Sequence, residues 1–114
     1  MNNVYTPDCW VVVRFRSPQY GVVNKILAGW GGGYTQGTSW KLNSGITKVE
    51  DKGEYYLVTG PTESVYQLYK ASQRLSVNIA YVYEAFVEKL KNSDSQATIE
   101  LVDSLEVLSA GELN

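Results

Sequence analysis

The side chains that most often carry enzyme chemistry are nearly missing from this chain, which has no histidine and a single cysteine, Cys9. Ser-His-Asp and Cys-His arrangements, zinc clusters and histidine-ligated iron centres therefore have no residues to build them within one chain. Catalysis would have to rest on carboxylates, Lys, Tyr or Ser. The adjacent acids Glu50 and Asp51 lead into Asp51-Lys52-Gly53, a hairpin-type loop, where two neighbouring carboxylates are solvated surface rather than a tuned pair. Cys9 alone cannot form an internal disulfide, fits a reducing compartment, and reads as a small buried thiol. The expectation is a protein that is not an enzyme and uses no cofactor and no metal.

A second set of residues points to binding. The stretch Leu27 to Gly45, LAGWGGGYTQGTSWKLNSG, holds six of the ten glycines and two of the three tryptophans. A flexible linker rarely carries indoles, because an exposed Trp leaves a large apolar surface in water. The glycines nearly match a phosphate loop: Gly32, four residues, Gly37, then Thr38-Ser39. Thr38 stands where that loop needs lysine, and a strand follows where a helix N-terminus should. The dinucleotide fingerprint fails at its third glycine, where Gln36 stands after Gly31 and Gly33. Two readings of the aromatics remain. Trp30, Tyr34 and Trp40, with the basic residues Arg14, Arg16 and Lys41 on or near the same predicted sheet, could stack bases and track phosphates, or line a groove for an extended peptide. Alternatively the tryptophans, with Trp10, fill the core of a domain too small to leave large apolar side chains unused.

Length and composition set the frame. The 114 residues suit one domain, and 44% hydrophobic with 19% charged residues suits a folded chain. No apolar run approaches the roughly 18 residues of a membrane span, and the N-terminus lacks the features of a secretory signal, so a cytoplasmic setting without membrane contact is expected. The net charge of −2 is unevenly placed: residues 1–80 carry +3 and residues 81–114 carry −5. A basic footprint for nucleic acid is thus present but weak.

The elements that must position these residues follow from periodicity. Trp10 to Arg16 is β-branched and aromatic and reads as a strand, with Val11, Val13 and Phe15 on one face. Val22 to Gly29 is its hairpin partner. Ser39 to Leu42 follows the glycine-rich turn, and Asn43-Ser44-Gly45 interrupts it as a kink or bulge before Ile46 to Val49 continues. Tyr55 to Thr59 and Ser64 to Tyr69 complete a meander. From Ser76 to Lys91 the apolar residues Ile79, Val82, Tyr83, Phe86, Val87 and Leu90 recur with helical spacing, with Ser76 as N-cap and Asn92 as C-cap. Gln96 to Leu108 fits both periods and is read as a strand. The fold expected is mainly β (α+β): a small, strongly bent antiparallel sheet, or an SH3-like or Sm-like barrel, covered by the helix at about 76–91.

The run from Val23 to Ile46, carrying NKILAGWGGGYTQGTSWKLNSGI, followed by Tyr55-Tyr56 and Ser64-Val65-Tyr66, resembles a group of small uncharacterised proteins of tailed phages that infect marine cyanobacteria. The resemblance spans roughly Thr6 to Tyr69. It implies a phage-type origin, a host-cytoplasm setting and no conventional enzyme, and it supplies no site residues. Two functions of different class stand at this stage. The first is a structural or protein-interaction module that self-associates or binds another protein through edge strands and exposed tyrosines. The second is a small nucleic-acid-binding β-barrel using Trp30, Tyr34, Trp40, Arg14, Arg16 and Lys41.

Overall fold

The structure is a computed structural model and describes residues 4–31, 38–93, 96–103 and 105. Among the described residues eight strands form two four-stranded sheets, and one α-helix and a single 3-10 turn, Lys70–Ser72, lie outside them. The strands are β1 (Val4–Tyr5), β2 (Cys9–Ser17), β3 (Gly21–Gly31), β4 (Thr38–Leu42), β5 (Lys48–Asp51), β6 (Tyr55–Thr59), β7 (Val65–Tyr69) and β8 (Thr98–Val102), with the helix α1 (Val77–Lys91) before β8. A central sheet has the order β4-β3-β2-β8 and an outer sheet the order β1-β7-β6-β5. All neighbours are antiparallel except β1 and β7, which run parallel.

The uninterrupted run Trp10-Val11-Val12-Val13 is explained by its position in the middle layer. Odd and even residues of β2 both meet protein, so neither face needs polar side chains. Trp10 and Val12, with Ile26 and Ala28 of β3, pack on Tyr56, Val58, Tyr66 and Leu68 of the outer sheet, and Ile46 and Leu105 close this core. Val11, Val13 and Leu27 pack on Ile79 and Val82 of α1, ringed by Phe15, Leu42, Phe86 and Ile99. Each fully buried side chain of this size contributes about 1.5–3 kcal/mol. The helical stripe expected from the sequence is the stripe that faces the central sheet. Gly29 is where the helix comes closest: a Cβ there would lie 2.6 Å from Ile79 Cγ2 and 2.7 Å from Asn78 Nδ2.

The barrel expected from the sequence is not formed. Asn43-Ser44-Gly45 does not bend one strand; it carries the chain out of the central sheet and into the outer one. Asn43 is buried and its side chain holds the crossing: Oδ1 accepts from the Ile26 N–H at 2.8 Å and the Gly45 N–H at 3.3 Å, while Nδ2 donates to the Gly45 carbonyl at 2.7 Å. Gly45 has φ of 150°, which favours glycine. The strand expected over Ile46 to Val49 is therefore β5, beginning at Lys48, and it belongs to the other sheet. β4 and β5 both lie at sheet edges and do not pair, so the result is two facing sheets.

Smaller differences have local causes. β1 is only two residues long, too short to carry a period. Ser76 occupies the N-cap position, but its hydroxyl makes no capping bond and turns to Cys9 and Asn78 instead; Asn92 is the C-cap as expected. The last strand is Thr98–Val102, and residues 104 and 106–108 of the expected Gln96–Leu108 segment lie outside the described residues. Among the described residues no helix is long and apolar enough to cross a membrane.

Candidate functional site

Of the six residues singled out for binding, the five that are described do not come together on one surface. Trp30 and Lys41 do meet, at one end of the sandwich, through Tyr5. The Trp30 ring stands edge-on to Tyr5 at 6.3 Å, the Lys41 ammonium lies 5.2 Å over the same ring, and the Trp30 indole N–H donates to the Thr6 carbonyl at 3.2 Å. Arg14 and Arg16 sit toward the other end of the sheet. Arg14 pairs across the ladder with Asn24, six residues along β3 from Trp30, a separation of about 20 Å. Both guanidinium groups have protein partners: Arg14 Nε donates to Asn24 Oδ1 at 2.9 Å, and Arg16 Nε to Glu100 Oε1 at 2.7 Å. The Arg16 bond holds the Glu100 carboxyl below its ordinary range. Trp40 lies on the opposite, helix-facing side of the sheet, since it pairs with Gly29. Tyr34 lies outside the described residues.

Of the two described tryptophans of the set, Trp40 is the one that stays open to solvent. It is 49% exposed, its ring meets Phe86 edge-on at 6.3 Å, and it forms one wall of a groove of about 300 Å³ lined by Tyr81, Val82, Ala85, Phe86 and Lys89. Tyr81, Ala85 and Lys89 are spaced by four residues and share one stripe of α1 beside Trp40 of β4. Val77 is 88% and Tyr81 80% exposed. A tyrosine this open, next to a half-open tryptophan, forms an apolar surface of the kind that marks an interaction site, while Val77 stands exposed at the start of α1 beside Gly31 and Arg74.

The backbone of β4 adds hydrogen-bonding capacity to the same place. The Asn43 N–H donates to the Ile26 carbonyl at 3.0 Å, and the Ile26 N–H donates to Asn43 Oδ1, so the backbone polar groups of Ile26 point toward β4. Alternation along the ladder turns those of Ala28 and Trp30 the same way, and their partners Lys41 and Ser39 turn their backbone polar groups inward to meet them. The N–H and C=O groups of Thr38, Trp40 and Leu42 consequently face outward, and among the described residues β4 pairs only with β3. The other edges are blunted. β1 has two residues. β5 carries Lys48, Glu50 and Asp51, tied by Lys48–Glu50 and Lys52–Glu50 contacts at 3.7 Å and by Lys70–Asp51 at 2.9 Å. β8 carries Glu100 with its ion pair to Arg16. Charge on an edge strand discourages further pairing.

Several other polar groups hold elements of the fold together. Cys9 is buried, with Sγ 2.8 Å from Ser76 Oγ and further contacts to Asn78 Oδ1 and the Gly29 carbonyl, which tie the start of α1 to the ends of β2 and β3. Asp51 accepts from the Gly53 N–H at 2.8 Å and from Lys70; these bonds, the backbone one foremost, lower its pKa and leave the Glu50-Asp51 pair as hairpin surface. Burial, with a smaller contribution from Tyr5, pushes the Tyr66 phenol up to about 12. Among the described residues no three His, Cys, Asp or Glu side chains gather as a metal site would need.

Sequence reasoning missed Val77 and Tyr81. Their signal was present: both are large apolar residues of the helical segment that fall off the core-facing stripe. No family model, no curated protein and no solved structure matches this chain.

Proposed function

We propose that this chain is a non-enzymatic protein-interaction module that receives an extended protein strand along β4, with Trp40, Tyr81 and Phe86 taking the incoming side chains. The observation that carries this reading is the coincidence of an open strand edge with an apolar groove. The outward N–H and C=O groups of Thr38, Trp40 and Leu42 supply main-chain bonds, and the groove beside them supplies pockets for alternate side chains, the division of labour of strand addition. Phe86 anchors the floor because it is half-buried against Phe15, with ring centroids 6.2 Å apart, so the groove is backed by core and does not collapse when empty.

Selection from a displayed library of random linear peptides tests the reading. Binders should show apolar residues at alternate positions, and Trp40→Ser with Tyr81→Ser should weaken them at least about tenfold, as expected for aromatic anchors at the centre of an interface. Thr38→Pro should weaken them too, by removing an outward N–H without touching the ladder to β3. A library that yields no binder, or binders indifferent to all three changes, refutes it.

A further inference from the structure

We infer that the strand received by β4 is the β4 of a second copy of this chain, laid antiparallel about a two-fold axis at Trp40; this rests on the reading of β4 as the docking edge. The sequence of β4 is complementary to itself in that arrangement. The outward-facing residues are Thr38, Trp40 and Leu42, so a two-fold at Trp40 sets Trp40 opposite its counterpart and Thr38 opposite Leu42 of the copy. Every outward N–H then meets an outward C=O. Lys41 is the strand's one charged residue. It falls opposite Ser39 of the copy and not opposite itself, and its ammonium lies over Tyr5 on the other face of the sheet, away from the groove. No like charges are brought together along the strand.

The spacing above the sheet also closes. α1 packs over β2 and β3, through Val11, Val13 and Leu27. Joining two copies at β4 sets the two helices about four strand spacings apart, roughly 19 Å. Helices about 11 Å across with their side chains leave a gap of about 8 Å. That gap lies over the joined β4 strands, where Trp40 and Tyr81 of both copies are the large side chains at hand, and it is about one layer of aromatic rings deep. The product is a continuous eight-stranded sheet with both helices on one face. Its contact is modest. A helix of 15 residues is about 22 Å long, and a strip about 20 Å wide along it covers roughly 450 Å² per copy, against about 800 Å² for a standard stable interface. The dimer therefore belongs to the weak, concentration-dependent class.

Register-specific cross-linking tests it on the full chain. Residues 39 and 41 of opposite copies form a non-hydrogen-bonded pair with Cα atoms about 4.5 Å apart, within disulfide reach, whereas 39–39 and 41–41 lie beyond the limit of about 7 Å. Ser39 and Lys41 are exposed, so Ser39→Cys and Lys41→Cys keep the core. Mixed under mild oxidation, the two variants should give a disulfide-linked heterodimer at least about tenfold faster than either alone, and Trp40→Ser should abolish the advantage. Sedimentation of the unmodified chain should show a mass that rises with concentration. Equal cross-linking of the single variants, or a strict monomer up to about 1 mM, overturns the inference. A strict monomer that still binds strand-like peptides at β4 overturns only the second-copy assignment, whereas a monomer that binds none overturns the docking edge as well.

Discussion

Replacing Asn43 tests the one side chain on which the two-sheet architecture turns. Its Oδ1 accepts two backbone N–H groups and its Nδ2 donates to one carbonyl, all buried. Asn43→Ala leaves the Ile26 N–H and the Gly45 C=O without those partners. At about 1–3 kcal/mol for each of these two buried groups left unpaired, the loss is about 2–6 kcal/mol. Against a total stability of roughly 5–15 kcal/mol this is severe but survivable, and for a domain of this size it corresponds to a fall in Tm of about 10–20 °C.

Asn43→Asp separates the acceptor role from the donor role. The acid keeps both accepted bonds but sets a carboxylate oxygen where Nδ2 stood, 2.7 Å from the Gly45 carbonyl oxygen. Only a proton between the two oxygens restores the bond. The folded pKa of the introduced carboxyl must then lie above its unfolded value of about 3.9. A group raised in the folded state contributes stability that is fully present below the unfolded pKa and is lost as pH rises through the folded one. The variant should therefore approach the parent near pH 4 and fall away toward neutrality. Asp51 and Glu100 have lowered folded pKa values, so their contributions are lost on acidification; they occur in both proteins and cancel in the difference. Urea unfolding of parent and both variants from pH 4 to 7.5 measures this directly. An Asn43→Ala loss below about 1 kcal/mol, or an Asn43→Asp deficit that does not shrink in acid, refutes the assignment of the crossing to this side chain.

Three further outcomes follow from the geometry. Gly29→Ala should cost about 1–3 kcal/mol, because the added carbon overlaps Ile79 and Asn78 and pushes α1 off the sheet; unchanged denaturant unfolding would show that the helix sits farther away. Tyr66→Phe should stabilise the protein by about 1 kcal/mol, since the Tyr66 hydroxyl is buried and has no hydrogen-bond partner among the described residues. The parent's Tyr66 pKa is raised from 10.0 to about 12, so its contribution is present below pH 10 and lost between 10 and 12; the variant's stability should fall less across that window. A single-stranded oligonucleotide should show no salt-dependent binding near 0.15 M salt, because Arg14 and Arg16 are separated from Trp30 and Lys41; fluorescence anisotropy that rises with protein and weakens steeply with salt would restore the nucleic-acid reading.

The parts of the fold that were legible in the sequence are those fixed by local periodicity. The strand from Trp10 to Arg16 was readable from its unbroken β-branched and aromatic run, which burial on both faces allows, and the spacing of Ile79, Val82 and Phe86 was readable because one face of the helix is buried against a single layer. What was not legible depended on long-range choices. The kink at Asn43-Ser44-Gly45 is visible in sequence, but whether the chain bends within a sheet or leaves it depends on the Ile26 backbone, seventeen residues earlier. The binding set failed to converge for a related reason. Period-2 alternation assigns a residue to a face, yet it does not say that Trp40 faces a helix while Lys41 faces Tyr5. Trp40 stands out by its chemistry, whereas Val77 and Tyr81 lie off the apolar stripe that helical periodicity picks out.

The departure from a barrel and the proposed docking edge have one physical origin. In a closed barrel β4 would continue through the kink and its outer N–H and C=O groups would be taken up by the next strand, leaving no edge. Asn43 instead satisfies the polar groups at the end of β4 with its own amide, which lets the chain leave the central sheet at that point and start β5 on the outer one. The cost of that exit is an outer edge of β4 that pairs with nothing among the described residues, and the chain answers it differently from its other edges: the one charge of β4, Lys41, lies over Tyr5 on the face away from α1, and the helix-facing side presents Trp40. An edge strand that presents a large aromatic beside its open backbone groups is a hazard unless pairing is its use. The position of Trp40, with outward backbone groups and a ring walling the groove on α1, makes controlled pairing the consistent reading. It also ties the two tests together: a variant at Asn43 that loosens the crossing should weaken strand docking at β4 even though Asn43 lies outside the groove.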